Sequence, residues 1–198
     1  MDVPPRPTLP KLREAVQTCT ACELYRGATQ AVLGEGPAKA RAMLVGEQPG
    51  DREDIEGHPF VGPAGALLDR ALHDAGIDRK DVFVTNAVKH FRFRARGKRR
   101  IHQRPDREHV EACRPWLDAE LEVVKPDVLV CLGAVAAQAL LGNRVRVTKD
   151  RGMPIESELA DFVTVTVHPS SILRAGEQRH EAYEAFVRDL EQVAGVLG

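Results

Sequence analysis

"RAMLVGEQ", residues 41–48, is a run of core-type side chains that stops on a glycine, a carboxylate and an amide. Its apolar stretch is continuous rather than alternating, the pattern of a strand covered on both faces in a parallel sheet. Three further segments share it: "DVFVTNAV" (81–88), "PDVLVCLG" (126–133) and "DFVTVTVHP" (161–169). Helical patterns lie between them. "AGALLDRALHDAG" (64–76) closes on a glycine suited to a C-cap, and "DREHVEACRPWLDAELEVV" (106–124) repeats apolar residues every three or four positions. "AVAAQALLG" (134–142) and "HEAYEAFVRDLEQVAGVL" (180–197) supply two more. Alternating strand and helix predicts an α/β fold, a three-layer α/β/α with a central four-stranded parallel sheet and right-handed crossovers. The chain reads as one domain over 1–198, with a loose N-terminal segment over 1–10, "MDVPPRPTLP".

At 198 residues the chain is long enough to bury a core. No stretch has the length of a membrane span, and the N-terminus lacks the apolar core of a signal peptide. The expected location is therefore cytoplasmic, where structural disulfides are uncommon. In that setting the C-x-x-C of Cys19 and Cys22 points to metal or redox chemistry. Net charge is −1, but its distribution is uneven: Lys89 to Arg104 holds eight Lys or Arg and no Asp or Glu. A patch that dense on a neutral molecule fits contact with a phosphate backbone. A solvated basic loop is the plainer alternative.

Ligands of open α/β sheets bind beyond the carboxyl ends of the strands. Here those ends carry "GEQPGDREDIEGHPFVGPAG" (46–65), "TNAVKH" (85–90) and "HPSSILR" (168–174), so Glu47, Gln48, Asp51, Asn86 and His168 are expected to converge. No lysine follows the glycines of "GEQPG", which argues against a triphosphate loop. Glu47 offers a base or a partner for a cation. Phe60 suits either the core or a flat ligand. Asn86 presents a donor and an acceptor to an imide edge, and His168 suits a carbonyl oxygen gaining negative charge. One imidazole, His102 in "KRRIHQRP" (98–105), sits among cations that push it towards its neutral, nucleophilic form.

These motifs, with "CRPWL" (113–117) and "LGAVAAQALLG" (132–142), stand in the order found in the uracil-DNA glycosylase superfamily and span nearly the whole chain. The chain resembles most the iron–sulfur family-four enzymes and their UdgX relatives. Family-four enzymes usually carry Ala or Gly where this chain has Gln48; that Gln and the basic "KRRIH" insertion look like UdgX. The resemblance implies a monomer that excises uracil from DNA, accepting single strands readily because the base must leave its stack. It implies that Phe60 stacks on the extruded uracil, Asn86 holds its polar edge and His168 stabilises charge on O2. Gln48 would line the pocket with Asp51 beside it. Lys98, Arg99, Arg100, Arg104, Ser170 and Arg174 would meet the DNA. His102 would attack the sugar C1′ and leave a stable protein–DNA crosslink, with Glu47 deprotonating or orienting it or stabilising the cationic sugar. An ordinary family-four enzyme with turnover, and a non-catalytic iron–sulfur DNA-binding module, are the rival readings.

Four cysteines suggest a cluster held by all four, but Cys131 sits mid-strand, where a small core residue is expected. The family's ligand positions fall on Cys19, Cys22, His90 and Cys113, with histidine where the family has cysteine, which implies a [4Fe–4S] cluster with a Cys₃His set. Zinc is compatible with the same donors.

Overall fold

The computed structural model describes residues 3–198. In chain order the elements are α1 (Leu9–Ala15), β1 (Ala42–Gly46), α2 (Asp51–Glu56), α3 (Pro63–Asp74), β2 (Val82–Asn86), β3 (Phe93–Arg96) and β4 (Arg99–His102). They continue with α4 (Arg107–Val124), β5 (Val128–Leu132), α5 (Ala134–Leu141), α6 (Val147–Asp150), β6 (Phe162–Thr166), α7 (Pro169–Leu173) and α8 (Arg179–Leu197).

Four strands form one parallel sheet in the order β2-β1-β5-β6, with Leu44 opposite both Val84 and Val130. Successive side chains leave a strand on opposite faces, so a continuous apolar run feeds two cores at once. Met43, Val45, Leu129, Cys131, Val163 and Val165 pack with Leu117 and Val124 of α4 and with Ala136 and Leu140 of α5. Ala42, Leu44, Val128, Val130 and Leu132 pack with Leu68 and Leu72 of α3 and with Phe186 and Leu190 of α8. The result is the three-layer α/β/α architecture read from the sequence. Cys131 is fully buried in the first core, and burial pushes its thiol up to about 12.

Three local expectations are corrected. The ladder stops at Gly46, Asn86, Leu132 and Thr166, short of the predicted strand ends. Beyond β2 the backbone still follows the end of β1, outside the regular ladder: Ala87 N–H donates to Gly46 O at 2.9 Å and Val88 N–H to Glu47 O at 3.0 Å. Residues 9 and 10 of the expected loose start belong to α1, where Leu9 is buried and Thr8 Oγ1 accepts from Lys11 N–H at 3.5 Å. Met1 and Asp2 lie outside the described residues. Lastly, the basic stretch is an antiparallel hairpin, not a loop, pairing Phe93 with His102 and Arg96 with Arg99. Gly97, the first of its two turn residues, has φ 58°, a conformation tight hairpins require and glycine adopts freely. The charges had masked a period of two in "FRFRA" (91–95). Among the described residues, no helix is long and apolar enough to cross a membrane.

Candidate active site

The chain runs from β1 out to β2 at one edge and then crosses to β5 on the other side of β1. A crevice opens where the connections part, at the carboxyl ends of β1 and β5. It holds a cavity of about 660 Å³ whose walls include Glu47, Gln48, Phe60, Asn86, His102, Gly133, His168 and Arg174. Gly46 lies beneath it. A Cβ there would stand 2.5 Å from Asn86 Oδ1, 2.8 Å from Phe60 Cζ and 3.4 Å from His168 Nε2. Three predicted residues, from three segments, thus meet over one glycine that leaves them room.

Each is held by its neighbours. Phe60 has φ 58°, a costly conformation for an aromatic residue. Its carbonyl lies against α3, where a Cβ on Gly65 would come within 1.6 Å of it, so only glycine admits this approach. The Phe60 and His168 rings lie 6.1 Å apart, inclined by 25°. His168 caps α7: its Nδ1 accepts from Ser170 N–H at 3.2 Å, and Ser170 Oγ lies 2.9 Å away. Burial, and after it the charges of His102 and Arg174, push this imidazole down to about 4, so it is neutral. With Nδ1 accepting, the proton of the neutral ring sits on Nε2, the nitrogen that faces the cavity floor.

At the mouth, His102 Nε2 stands 3.4 Å from Glu47 Oε1. That oxygen is buried and makes no hydrogen bond. Desolvation raises the Glu47 carboxyl above the usual range, opposed by Arg104 and Arg174. The His102 imidazole is lowered, by burial first and Arg174 second. Both shifts favour a neutral imidazole beside a carboxylate of enhanced basicity.

The profile of the Uracil DNA glycosylase superfamily matches residues 33–191. The chain belongs to the uracil-DNA glycosylase superfamily. It is 41% identical over 185 residues to the type-4 uracil-DNA glycosylase of Thermotoga maritima, covering 93% of this chain and 92% of that one. It is 39% identical over 194 residues to the type-4 enzyme of Pyrobaculum aerophilum (94% and 93% covered) and 33% identical over 187 to that of Archaeoglobus fulgidus (91% and 90%).

In this superfamily member the structure separates residues that the motif had grouped. Gln48 lines the cavity, but its amide is engaged elsewhere: Nε2 donates to Arg92 O at 3.2 Å and to Gln103 O at 3.1 Å, while Oε1 accepts from Arg92 N–H at 3.1 Å. Those residues are the two ends of the hairpin that carries His102. Asp51 is not a cavity wall; its carboxylate meets Arg100 Nε at 2.5 Å. Arg100 does not stand outward with the exposed Lys98 and Arg99. It also bonds the fully buried Asp54 at 2.5 Å and lies over the rings of Phe91 and Phe93. Gln48 therefore clamps the neck of the hairpin and Arg100 pins its far strand. Arg104, Ser170 and Arg174 remain at the cavity.

Two further groups escaped the sequence reading. Glu53 is buried in the cavity wall, with Oε1 accepting from Gly62 N–H at 2.8 Å. Nothing in an acidic run such as "DREDIE" tells the buried carboxylates from the exposed ones. The other is a fully buried ion pair: Lys89 Nζ donates to Glu120 Oε2 at 2.6 Å, to Thr85 Oγ1 at 2.9 Å and to Asn86 O at 2.7 Å. Glu120 Oε1 in turn accepts from Gly34 N–H at 2.7 Å.

Of the four expected metal ligands, Cys22 and Cys113 share one small cluster beside this pair, and Cys19 belongs to a neighbouring one. Cys22 and Cys113 are hydrogen-bonded, which pulls the Cys22 thiol down to about 6 and raises that of Cys113. Cys113 Sγ accepts from Lys89 N–H at 3.5 Å, next to the buried His90. Cys19 Sγ, on a flanking segment, accepts from Trp116 Nε1 at 3.3 Å. All four cysteines are free thiols, and among the described residues no three His, Cys, Asp or Glu side chains close around a single ion. Three thiols and an imidazole whose pKa burial lowers, against an apolar wall of Leu24 and Val88, match in chemistry what an iron–sulfur cluster takes.

Proposed function

We propose that this chain excises uracil from DNA and then keeps the sugar, through a covalent bond from His102 Nε2 to C1′. The observation that carries the reading is the unpartnered Glu47 Oε1, buried 3.4 Å from that nitrogen at the cavity mouth. Uracil lies over Gly46 against Phe60, with its amide edge on Asn86. As the C1′–N1 bond breaks, the electron pair leaves with uracil, and the His168 Nε2–H donates to O2, where the charge collects. The cationic sugar faces His102. The neutral His102 ring, protonated on Nδ1, gives its Nε2 lone pair to C1′, Glu47 offsets the positive charge this leaves on the ring, and the Nδ1 proton then passes to water. Lys98, Arg99, Arg104, Ser170 and Arg174 hold the DNA, with Asp51 serving the hairpin through Arg100. Cys19, Cys22, His90 and Cys113 would hold a [4Fe–4S] cluster, which when bound ties the N-terminal segment to α4 and the root of the hairpin. The chain acts as one domain, as a monomer, in the cytoplasm.

The relatives named above are type-4 glycosylases, and turnover without capture would use the same pocket. A labelled uracil-containing single strand, boiled in detergent and run on a denaturing gel, separates the two. The expected result is a slow band that disappears when thymine replaces uracil. A free strand that breaks only after alkali would instead mean ordinary turnover, and an intact strand would overturn both.

Gln48 gains a role in this reading that base contact does not require. Replacing it with alanine removes three hydrogen bonds from the hairpin neck. Capture should slow by about ten- to a hundredfold while uracil release changes little, since three bonds of roughly 1 kcal/mol each set the upper bound. Quantifying free uracil and crosslinked strand in the same time course checks it.

A further inference from the structure

A second groove opens beside the cavity and has no part in the chemistry above. It holds about 560 Å³, within the range of small-ligand sites. One face of α4 supplies Arg107, Val110 and Arg114, and α5 supplies Val135 and Gln138. Arg104 is a wall of both spaces, and its guanidinium donates to Gln138 Oε1 at 3.1 Å. The acids on the rim are already matched: Glu111 by Arg107 at 2.5 Å and Asp106 by Arg92 at 2.6 Å. Among the described residues Arg104 has no carboxylate partner within ion-pair distance, so a cation is left at the junction of the two spaces.

We propose that this groove takes the nucleotide adjoining the extruded uridine on the same strand. The inference rests on uridine occupying the first cavity. Arg104 follows His102 by two residues and walls both spaces, so a sugar whose C1′ is at His102 has a flanking phosphate within reach of its guanidinium, where the groove begins. That phosphate sits on Arg104, and the next base lies on the apolar floor of Val110 and Val135, under the amide of Gln138. A base can enter only if it is unstacked and unpaired, so the site selects single-stranded DNA.

The test uses uracil oligonucleotides in which the base on the 5′ or the 3′ side is replaced by a tetrahydrofuran spacer, leaving every phosphate in place. The initial rate of uracil release is measured for each. One spacer, and not the other, should slow the reaction five-fold or more, as expected for a lost base contact. Gln138→Trp fills the groove from an exposed position. It should process the unmodified strand as slowly as the natural protein processes that spacer, with no further penalty from the spacer itself. Asn143→Trp, from the exposed end of the groove, gives the same comparison should the first variant fold poorly. Equal rates on all strands, equal slowing by both spacers, or a spacer penalty that survives in a folded variant would each overturn the groove. Failure of the natural protein on the unmodified strand would overturn the functional reading, and the groove with it.

Discussion

His102→Ser is expected to abolish the crosslinked band and to leave uracil release in place. In the proposed reading the pocket that breaks the glycosidic bond is built from Phe60, Asn86 and His168 over Gly46, and none of these depends on the imidazole. In that reading His102 supplies a neutral nitrogen lone pair at the cavity mouth, kept available by partial desolvation and by Arg174. A serine hydroxyl is shorter and a far weaker nucleophile near neutral pH, so water reaches the cationic sugar first. The product becomes a free abasic site, and the enzyme turns over. The denaturing gel should show capture falling below detection and alkali-labile strand rising past one equivalent of protein. Persistence of the band in His102→Ser would place the covalent bond on another residue.

Glu120→Ala should cost about 3–5 kcal/mol of folding stability, because it leaves the Lys89 ammonium buried with no counter-charge. Chemical denaturation followed by circular dichroism measures the loss. The pair also has a positioning consequence. Lys89 Nζ holds the carbonyl of Asn86, and its backbone N–H meets Cys113, so a single residue joins the cavity end of β2 to the cysteine of α4. The double replacement Lys89→Met with Glu120→Leu removes both charges and should recover much of the stability, since well-packed apolar groups commonly replace a buried pair at little cost. Uracil release by the double variant should stay several-fold below that of the natural protein, with the defect mainly in KM, as Asn86 has lost its anchor.

Long-range placement separates what was readable from what was not. The apolar runs of β1, β2, β5 and β6 were plain because a strand buried on both faces must be apolar at every position. The convergence of Glu47, Asn86 and His168 followed from the fact that parallel strands all deliver their carboxyl ends to one rim. The hairpin was hidden because its outward positions are arginines, and charge density concealed a periodicity carried by Phe91, Phe93 and Ala95. Gln48, Asp51 and Arg100 were assigned to substrate or DNA by the company they keep in the chain. A motif records spacing, and the direction a side chain takes depends on partners far away in sequence. Arg92 and Gln103, the partners of Gln48, lie 44 and 55 positions from it.

The sequence by itself determined the sheet, its covering helices, membership of the superfamily and the residues at the strand ends, because each of these follows from local pattern. Only the tertiary structure decided that Gln48 holds the hairpin neck, that Arg100 faces inward to Asp54, that Glu120 neutralises Lys89 and that Arg104 stands between two cavities. Each of those outcomes is a competition among polar groups for a few buried partners. Such a competition is resolved by distance and desolvation, which exist only once the chain has closed on itself.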